Sequence, residues 1–174
     1  MTDQKTAPPS GARAGGAVAA CIAAACAIAA PLATHWEGFV PKARPDPVGI
    51  PTYCFGETEG VDPARIYSQS ECAGLLRKRM ARDYAPRIAA CLPAIIPNRF
   101  IFGALIDASY NAGWKGVCAS RMAASIRAGD LRAACFGFDG WFVTARDRRT
   151  GARVRLKGLV KRRLDERAAC LKGL

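Results

Sequence analysis

Within the stretch HWEGFVPKARPDPVGIPTYCFGET, Glu37, Asp46 and Thr52 place two carboxylates and a hydroxyl in one short run. Cutting a glycosidic bond needs such a pair. One acid arrives protonated to donate to the leaving oxygen, and the other stays ionised to face the cationic sugar or to activate water. Glu37 lies between Trp36 and the Gly38–Phe39 pair, an apolar setting that favours a protonated carboxyl, whereas Asp46 stands in a proline-rich turn close to Arg44. Glu37 is therefore expected to be the acid and Asp46 the ionised partner. The pattern alone is common: an element boundary at Glu37, a turn cap at Asp46 and an ordinary strand residue at Thr52 would give the same string.

The bulk numbers bound the setting. A chain of 174 residues that is 51% hydrophobic holds one well-buried domain plus a tail. Its net charge of +12 calls for an acidic partner, either nucleic acid or an anionic cell wall. Eight cysteines fit poorly with a reducing cytosol, and with no C-x-x-C pair and His35 as the single histidine no metal site is expected. Structural disulfides in an oxidising compartment are the better account, and they count against nucleic acid as the partner.

Export must then be encoded at the amino end. No charged residue occurs from Ala14 to Thr34, a run just long enough to span a bilayer as a helix, and Lys5 and Arg13 before it keep the amino terminus cytoplasmic. Rich in Ala and Gly, the run is only weakly hydrophobic. Three readings follow: a helix that inserts and later leaves, a signal cleaved near Ala30 to Ala33, or an ordinary anchor or buried helix. Gly11, Gly15 and Gly16 suit close helix association, and residues 1–10, with Pro8 and Pro9, read as a disordered tip.

Beyond the anchor, prolines and alternation in V-G-I-P-T-Y-C-F predict a small hairpin or sheet that puts the candidates on turns and strand ends. Ser68 to Glu71 is a capping box opening a long amphipathic helix with Cys72, Leu75, Leu76, Met80 and Tyr84 in register. A mostly apolar central helix should open at Pro97 and stop at Asn111 to Gly113. Shorter helices are expected from Ser120 to Ala128 and from Asp130. A last helix should bury Leu156, Leu159, Val160, Leu164, Ala168 and Leu171, leaving Arg162 and Arg163 on the surface. The basic run Arg146, Arg148, Arg149, Arg153, Arg155 and Lys157 flanks a turn at Thr150-Gly151, as a solvated hairpin or as a patch for acidic wall or lipid. Trp141 is expected in the core and Trp114 either there or stacked on a sugar.

The order Glu37, Asp46, Thr52, followed by C-F-G-E-T, resembles the phage-type lysozymes, the muramidases of glycoside hydrolase family 24. So do S-E-C-A-G-L-L from Ser70, Y-N-A-G from Tyr110, L-R-A-A-C from Leu131 with Trp141 after it, and G-L-V-K-R-R from Gly158, and the likeness runs from Trp36 to the C-terminus. One departure is Glu57, where many members carry His, which bears on local sheet contacts rather than on the triad. The weak amino-terminal segment resembles that of signal-anchor-release endolysins.

The resemblance implies an α+β, lysozyme-like fold: a small sheet-bearing lobe carrying the site, a larger helical lobe, and a cleft for the glycan between them. It divides the chain into a cytoplasmic tip (1–13), a releasable transmembrane segment (14–34) and a catalytic domain (35–174). The implied activity is a phage endolysin that cleaves peptidoglycan between N-acetylmuramic acid and N-acetylglucosamine, held inactive at the host inner membrane and then released to the periplasm. Glu37 would donate the proton, Asp46 support the cationic transition state and Thr52 position water, with Asn111 and Gly113 facing the substrate. No cofactor is implied, and a monomer is expected. Six cysteines outside the anchor allow fifteen connectivities; the family's fold order suggests Cys54 with Cys72, Cys91 with Cys118 and Cys135 with Cys170. Cys21 and Cys26 are candidates for regulatory thiol exchange near Cys54, or simply small apolar residues of the anchor. The competing reading is a non-enzymatic cationic protein that perturbs membranes through the anchor and the basic turn.

Overall fold

The computed structural model describes residues 10–46, 49–147 and 149–174, with side chains from residue 15 onward. Most of the expected tip, residues 1–9, and Arg148 of the basic run lie outside the described residues. Helix α1 (Ser10–Glu37) covers the whole apolar segment and ends on the candidate acid. Its Ala25, Ala29 and Ala33, one turn apart, are fully buried, and Cys26 and Ala30 lie beside them. Small side chains let α1 come close to α4 (Arg99–Ala112): a Cβ at Gly103 would lie 2.7 Å from the Ala25 carbonyl oxygen and from the Ile28 Cβ.

Strands β1 (Val40–Pro45) and β2 (Pro51–Cys54) form the expected antiparallel hairpin, with Arg44 opposite Thr52. Bridges from Lys42 to Ile66 and from Tyr53 to Glu57 extend this lobe. Helix α2 (Gln69–Arg79) opens on the Ser68–Glu71 capping box, as the sequence predicts, and runs through a π-helical turn (Met80–Tyr84) into α3 (Ala85–Cys91). Central α4 opens at Arg99, two residues later than the expected start at Pro97. Asn98 caps it by accepting from the Ile101 N–H at 3.1 Å, a bond that Pro97 has no side chain to make. Its Ile101, Phe102, Leu105 and Ile106 are buried, and the core gathers around them.

Helices α5 (Trp114–Cys118), α6 (Arg121–Arg127) and α7 (Leu131–Phe136) follow, the last two capped by Ser120 and Asp130 as expected. Strands β3 (Thr144–Arg146) and β4 (Arg153–Arg155) make a second, exposed hairpin that leads into α8 (Lys157–Leu171). The expected orientation of α8 is overturned. Arg162, Arg163 and Glu166 are buried with Ala169 and Cys170, whereas Leu156 and Leu164 are each 41% exposed. The inward side of α8 meets Asp107 and Asn111 of α4, so charge pairing rather than an apolar stripe decides which face is buried. Trp141 is half-buried against the core with the Arg163 guanidinium 5.2 Å from its ring centre.

Candidate active site

The folding of the first lobe brings Glu37, Asp46 and Thr52 to one place. Gly38, with φ +73, turns the chain out of α1 into the hairpin, which leaves Glu37 at the helix end. The Asp46 carboxylate accepts from the Ile50 N–H at 2.9 Å while its own N–H donates to the Ile50 carbonyl at 2.8 Å, so the turn holds it in place. Thr52 donates its hydroxyl proton to the Ile50 carbonyl at 3.1 Å. A cleft of about 600 Å³ is lined by all three, together with Val40, Arg44, Pro45 and Gly56.

A smaller recess of about 210 Å³ adjoins it through Glu37 and Gly56 and reaches Arg79, Tyr84, Tyr110 and Asn111. Gly56 has φ +93, and a Cβ there would lie 3.1 Å from the Tyr110 hydroxyl, so the backbone geometry and the close approach both select glycine. The Tyr110 hydroxyl donates to the Phe55 carbonyl. Burial, reinforced by the Glu57 and Glu37 charges, pushes this phenol well above its ordinary value and keeps it a donor.

The surroundings of Glu37 differ from the apolar pocket expected from its sequence neighbours. Its side chain, 27% exposed, receives a hydrogen bond from Arg162 Nη1 to Oε1 at 2.5 Å. Arg162 Nη2 reaches Asp107 Oδ1 at 2.7 Å, and Arg163 Nη2 reaches Glu166 Oε1 at 2.6 Å. Burial opposes the Arg162 charge, yet Asp107 and Glu37 more than offset it and raise its value. Three carboxylates thus share two guanidinium groups in a nearly dry cluster. Glu166, the most enclosed of them with Asp107, is driven well above the usual carboxylate range by burial, then by the Asp107 charge, against the pull of Arg163 and Arg162.

Glu57 pairs with Arg79 at 3.0 Å, tying the sheet lobe to α2. Burial raises its carboxyl value and the Arg79 charge opposes the rise. The departure from the family pattern at this position therefore falls on a contact between lobes. Asn111 lines the recess and its Oδ1 accepts from Arg163 Nη2 at 2.8 Å. Gly113 is the C-cap of α4, with φ 87. Cysteines 54 and 72, 91 and 118, and 135 and 170 are bonded in the expected pairs, with Cα separations of 5.0, 6.0 and 5.5 Å. Cys21 and Cys26 are free, Cys26 being buried in the interface of α1. Among the described residues no group of His, Cys, Asp and Glu could hold a metal ion.

Sequence reasoning missed Arg162, Arg163, Asp107, Arg79 and Tyr110. One signal was available: Asp107 is the only acidic residue in a mostly apolar helix, and such a charge, once buried, requires a cation.

A family model described as phage lysozyme matches residues 34–166. The chain is 32% identical over 141 residues to a SAR-endolysin of Bacteriophage PS119, covering 79% of this chain and 77% of that one. A SAR-endolysin of Bacteriophage PS34 is 30% identical over the same length and the same shares. Among solved structures, the muramidase domain of SpmX from Asticaccaulis excentricus superposes with TM-score 0.70 at 20% identity, covering 82% of this chain and 94% of that one. The active form of P1 phage endolysin Lyz gives TM-score 0.65 at 23% identity, with 82% of each chain covered. At those identities the two structures bear on the fold. The extent of the family match, joined to the cleft built by Glu37, Asp46 and Thr52, identifies the chain as a member of the phage lysozyme family and a relative of the SAR-endolysins, a glycosidase that lyses peptidoglycan.

Proposed function

We propose that the chain hydrolyses the β-1,4 bond between N-acetylmuramic acid and N-acetylglucosamine. Glu37 donates the proton to the leaving oxygen, Asp46 stabilises the positive charge that develops on the sugar, and Thr52 positions the attacking water. Asn111 contacts the sugar from the helical lobe, and Gly113 ends α4 behind it. No cofactor takes part, and the enzyme works as a monomer without nucleic acid. The observation that carries this reading is the single cleft lined by Glu37, Asp46 and Thr52.

The stretch Gly15–Glu37 of α1 is long and apolar enough to cross a bilayer, and the same helix packs its alanines against α4. Membrane insertion and core packing therefore compete for one face. This supports an enzyme anchored in the host inner membrane through residues 14–34, inactive there because Glu37 is held away from the cleft, and active in the periplasm once α1 docks. Cys21 and Cys26 are free while Cys54 is bonded to Cys72 and the cleft is assembled, which supports tethering rather than thiol exchange as the control.

Turbidity of chloroform-treated Gram-negative cells tests the enzymatic step. Purified protein should clear them and Glu37→Gln should not. Equal clearing by both would favour a cationic membrane perturber and remove the glycosidase assignment of Glu37.

A further inference from the structure

The β3–β4 hairpin stands exposed: Ala145, Arg146, Arg153, Val154 and Arg155 are all open to solvent. A two-stranded ribbon of three residues per strand is marginal in water by itself. Its register places Thr144 opposite Arg155 and Arg146 opposite Arg153, so these four share one face while Ala145 and Val154 share the other. One face is basic and the other apolar. Val154 is 43% and Leu156 41% exposed, and Phe142 at the foot of β3 is 48% exposed. Phe142 has φ 47, a left-handed backbone that a bulky side chain adopts only at a cost, and its ring, 5.7 Å from that of Trp141 between centroids, is left about half exposed.

Where β4 passes into α8, a groove of about 420 Å³ is lined by Arg155, Lys157, Val160 and Lys161. None of Arg146, Arg149, Arg153, Arg155, Lys157 and Lys161 forms an ion pair with a described carboxylate. Asp147, the one acid in the hairpin, accepts from the Arg149 and Thr150 N–H groups and from the Thr150 hydroxyl.

These cations call for an anionic counter-surface. A wall polymer would answer the charges but not Phe142, Val154 and Leu156. An anionic bilayer answers both, because phosphates take the guanidinium and ammonium groups while aromatic and aliphatic side chains settle at the headgroup boundary. We propose that the β3–β4 hairpin and the groove at the start of α8 form a docking site for anionic phospholipid headgroups, which holds the catalytic domain on the membrane surface independently of α1.

Co-sedimentation of the full-length protein with vesicles of equal parts phosphatidylglycerol and phosphatidylcholine, against pure phosphatidylcholine, tests this site. Two variants are compared, Arg153→Glu with Arg155→Glu, and Val154→Ser with Leu156→Ser, each checked for an unchanged melting temperature. Wild type should partition onto the anionic vesicles, and the charge variant should lose about tenfold or more of that affinity. The apolar variant should also bind more weakly, while all three hydrolyse isolated sacculi at the same rate. Equal vesicle binding by wild type and both variants would overturn the proposal in favour of α1. Intact vesicle binding with lost binding to sacculi would overturn it in favour of a wall contact. Failure of wild type to hydrolyse sacculi would count against the glycosidase reading alone, since vesicle binding is measured without it.

Discussion

Arg162 joins Glu37 at the end of α1 to Asp107 in the middle of α4, partners that lie 125 and 55 residues before it in the chain. The carboxyl expected to deliver a proton is therefore set by a guanidinium that is itself fixed by a buried aspartate. Of the two carboxylates, Glu37 is partly open to the cleft and Asp107 is fully enclosed. Arg162 can hold α1 in register only when that helix is docked. On the proposed roles of Glu37 and α1, catalytic geometry and docking are one event.

Removing this cation should be costly. Arg162→Met leaves Asp107 buried without its cation, while Glu166 keeps Arg163, and breaking a buried pair in this way costs about 3–5 kcal/mol. Arg167→Ala, which breaks the partly exposed pair with Asp139, should cost about 1 kcal/mol or less. Urea denaturation of the two variants side by side checks the contrast; similar losses would mean that the buried cluster contributes nothing special.

Replacing Glu37 by Gln keeps a hydrogen-bond acceptor for Arg162 and removes the donatable proton. The variant should stay folded and lose about a hundredfold to ten-thousandfold in turnover on purified peptidoglycan. Asp46→Ala and Thr52→Ala should also be severely impaired, with the melting temperature of Thr52→Ala close to wild type because its hydroxyl bonds only to the local turn. Reducing-sugar release from isolated sacculi gives the rates.

Glu166 predicts a pH dependence of stability. Its carboxyl value is raised in the folded state, so folding favours its protonated form; that stabilisation is complete below the ordinary value of 4.5 and is lost as pH rises through the raised value. Glu166→Gln, which mimics the neutral acid, should therefore gain stability relative to wild type as pH increases from below 4.5 toward neutrality. Thermal melts across that interval would show it. A difference between the two proteins that stays flat with pH would mean that Glu166 does not titrate across that interval.

The two roles of α1 can be separated by position. Gly15 and Gly16 have open space where a Cβ would stand, so Gly15→Leu with Gly16→Leu should leave the docked fold unchanged. Leucine favours insertion by about 0.3–0.6 kcal/mol per residue at the helix centre, and the variant should remain longer in the membrane fraction and delay lysis. Gly103→Val acts from the other side. Its side chain would collide with Ala25 and Ile28, destabilising the docked state by about 1–3 kcal/mol without altering the apolar segment. Membrane fractionation and melting temperature together distinguish the two effects.

Local chemistry was legible in the chain. The capping box at Ser68 and Glu71, the caps Ser120 and Asp130 and the alternation from Val48 to Phe55 depend on neighbours a few residues apart, so side chain and backbone meet whatever the rest of the fold does. The order and spacing of Glu37, Asp46 and Thr52 named the candidates for the same reason, since one short hairpin carries two of them. Periodicity failed at α8, where apolar spacing pointed outward and Arg162, Arg163 and Glu166 turned in. A hydrophobic stripe predicts burial only when the opposing surface is apolar, and here that surface carries Asp107 and Asn111. Sequence set which residues could ionise or bond; the packing of α1, α4 and α8 decided which charges left water together, because desolvation is a property of the assembled interface and of no single segment.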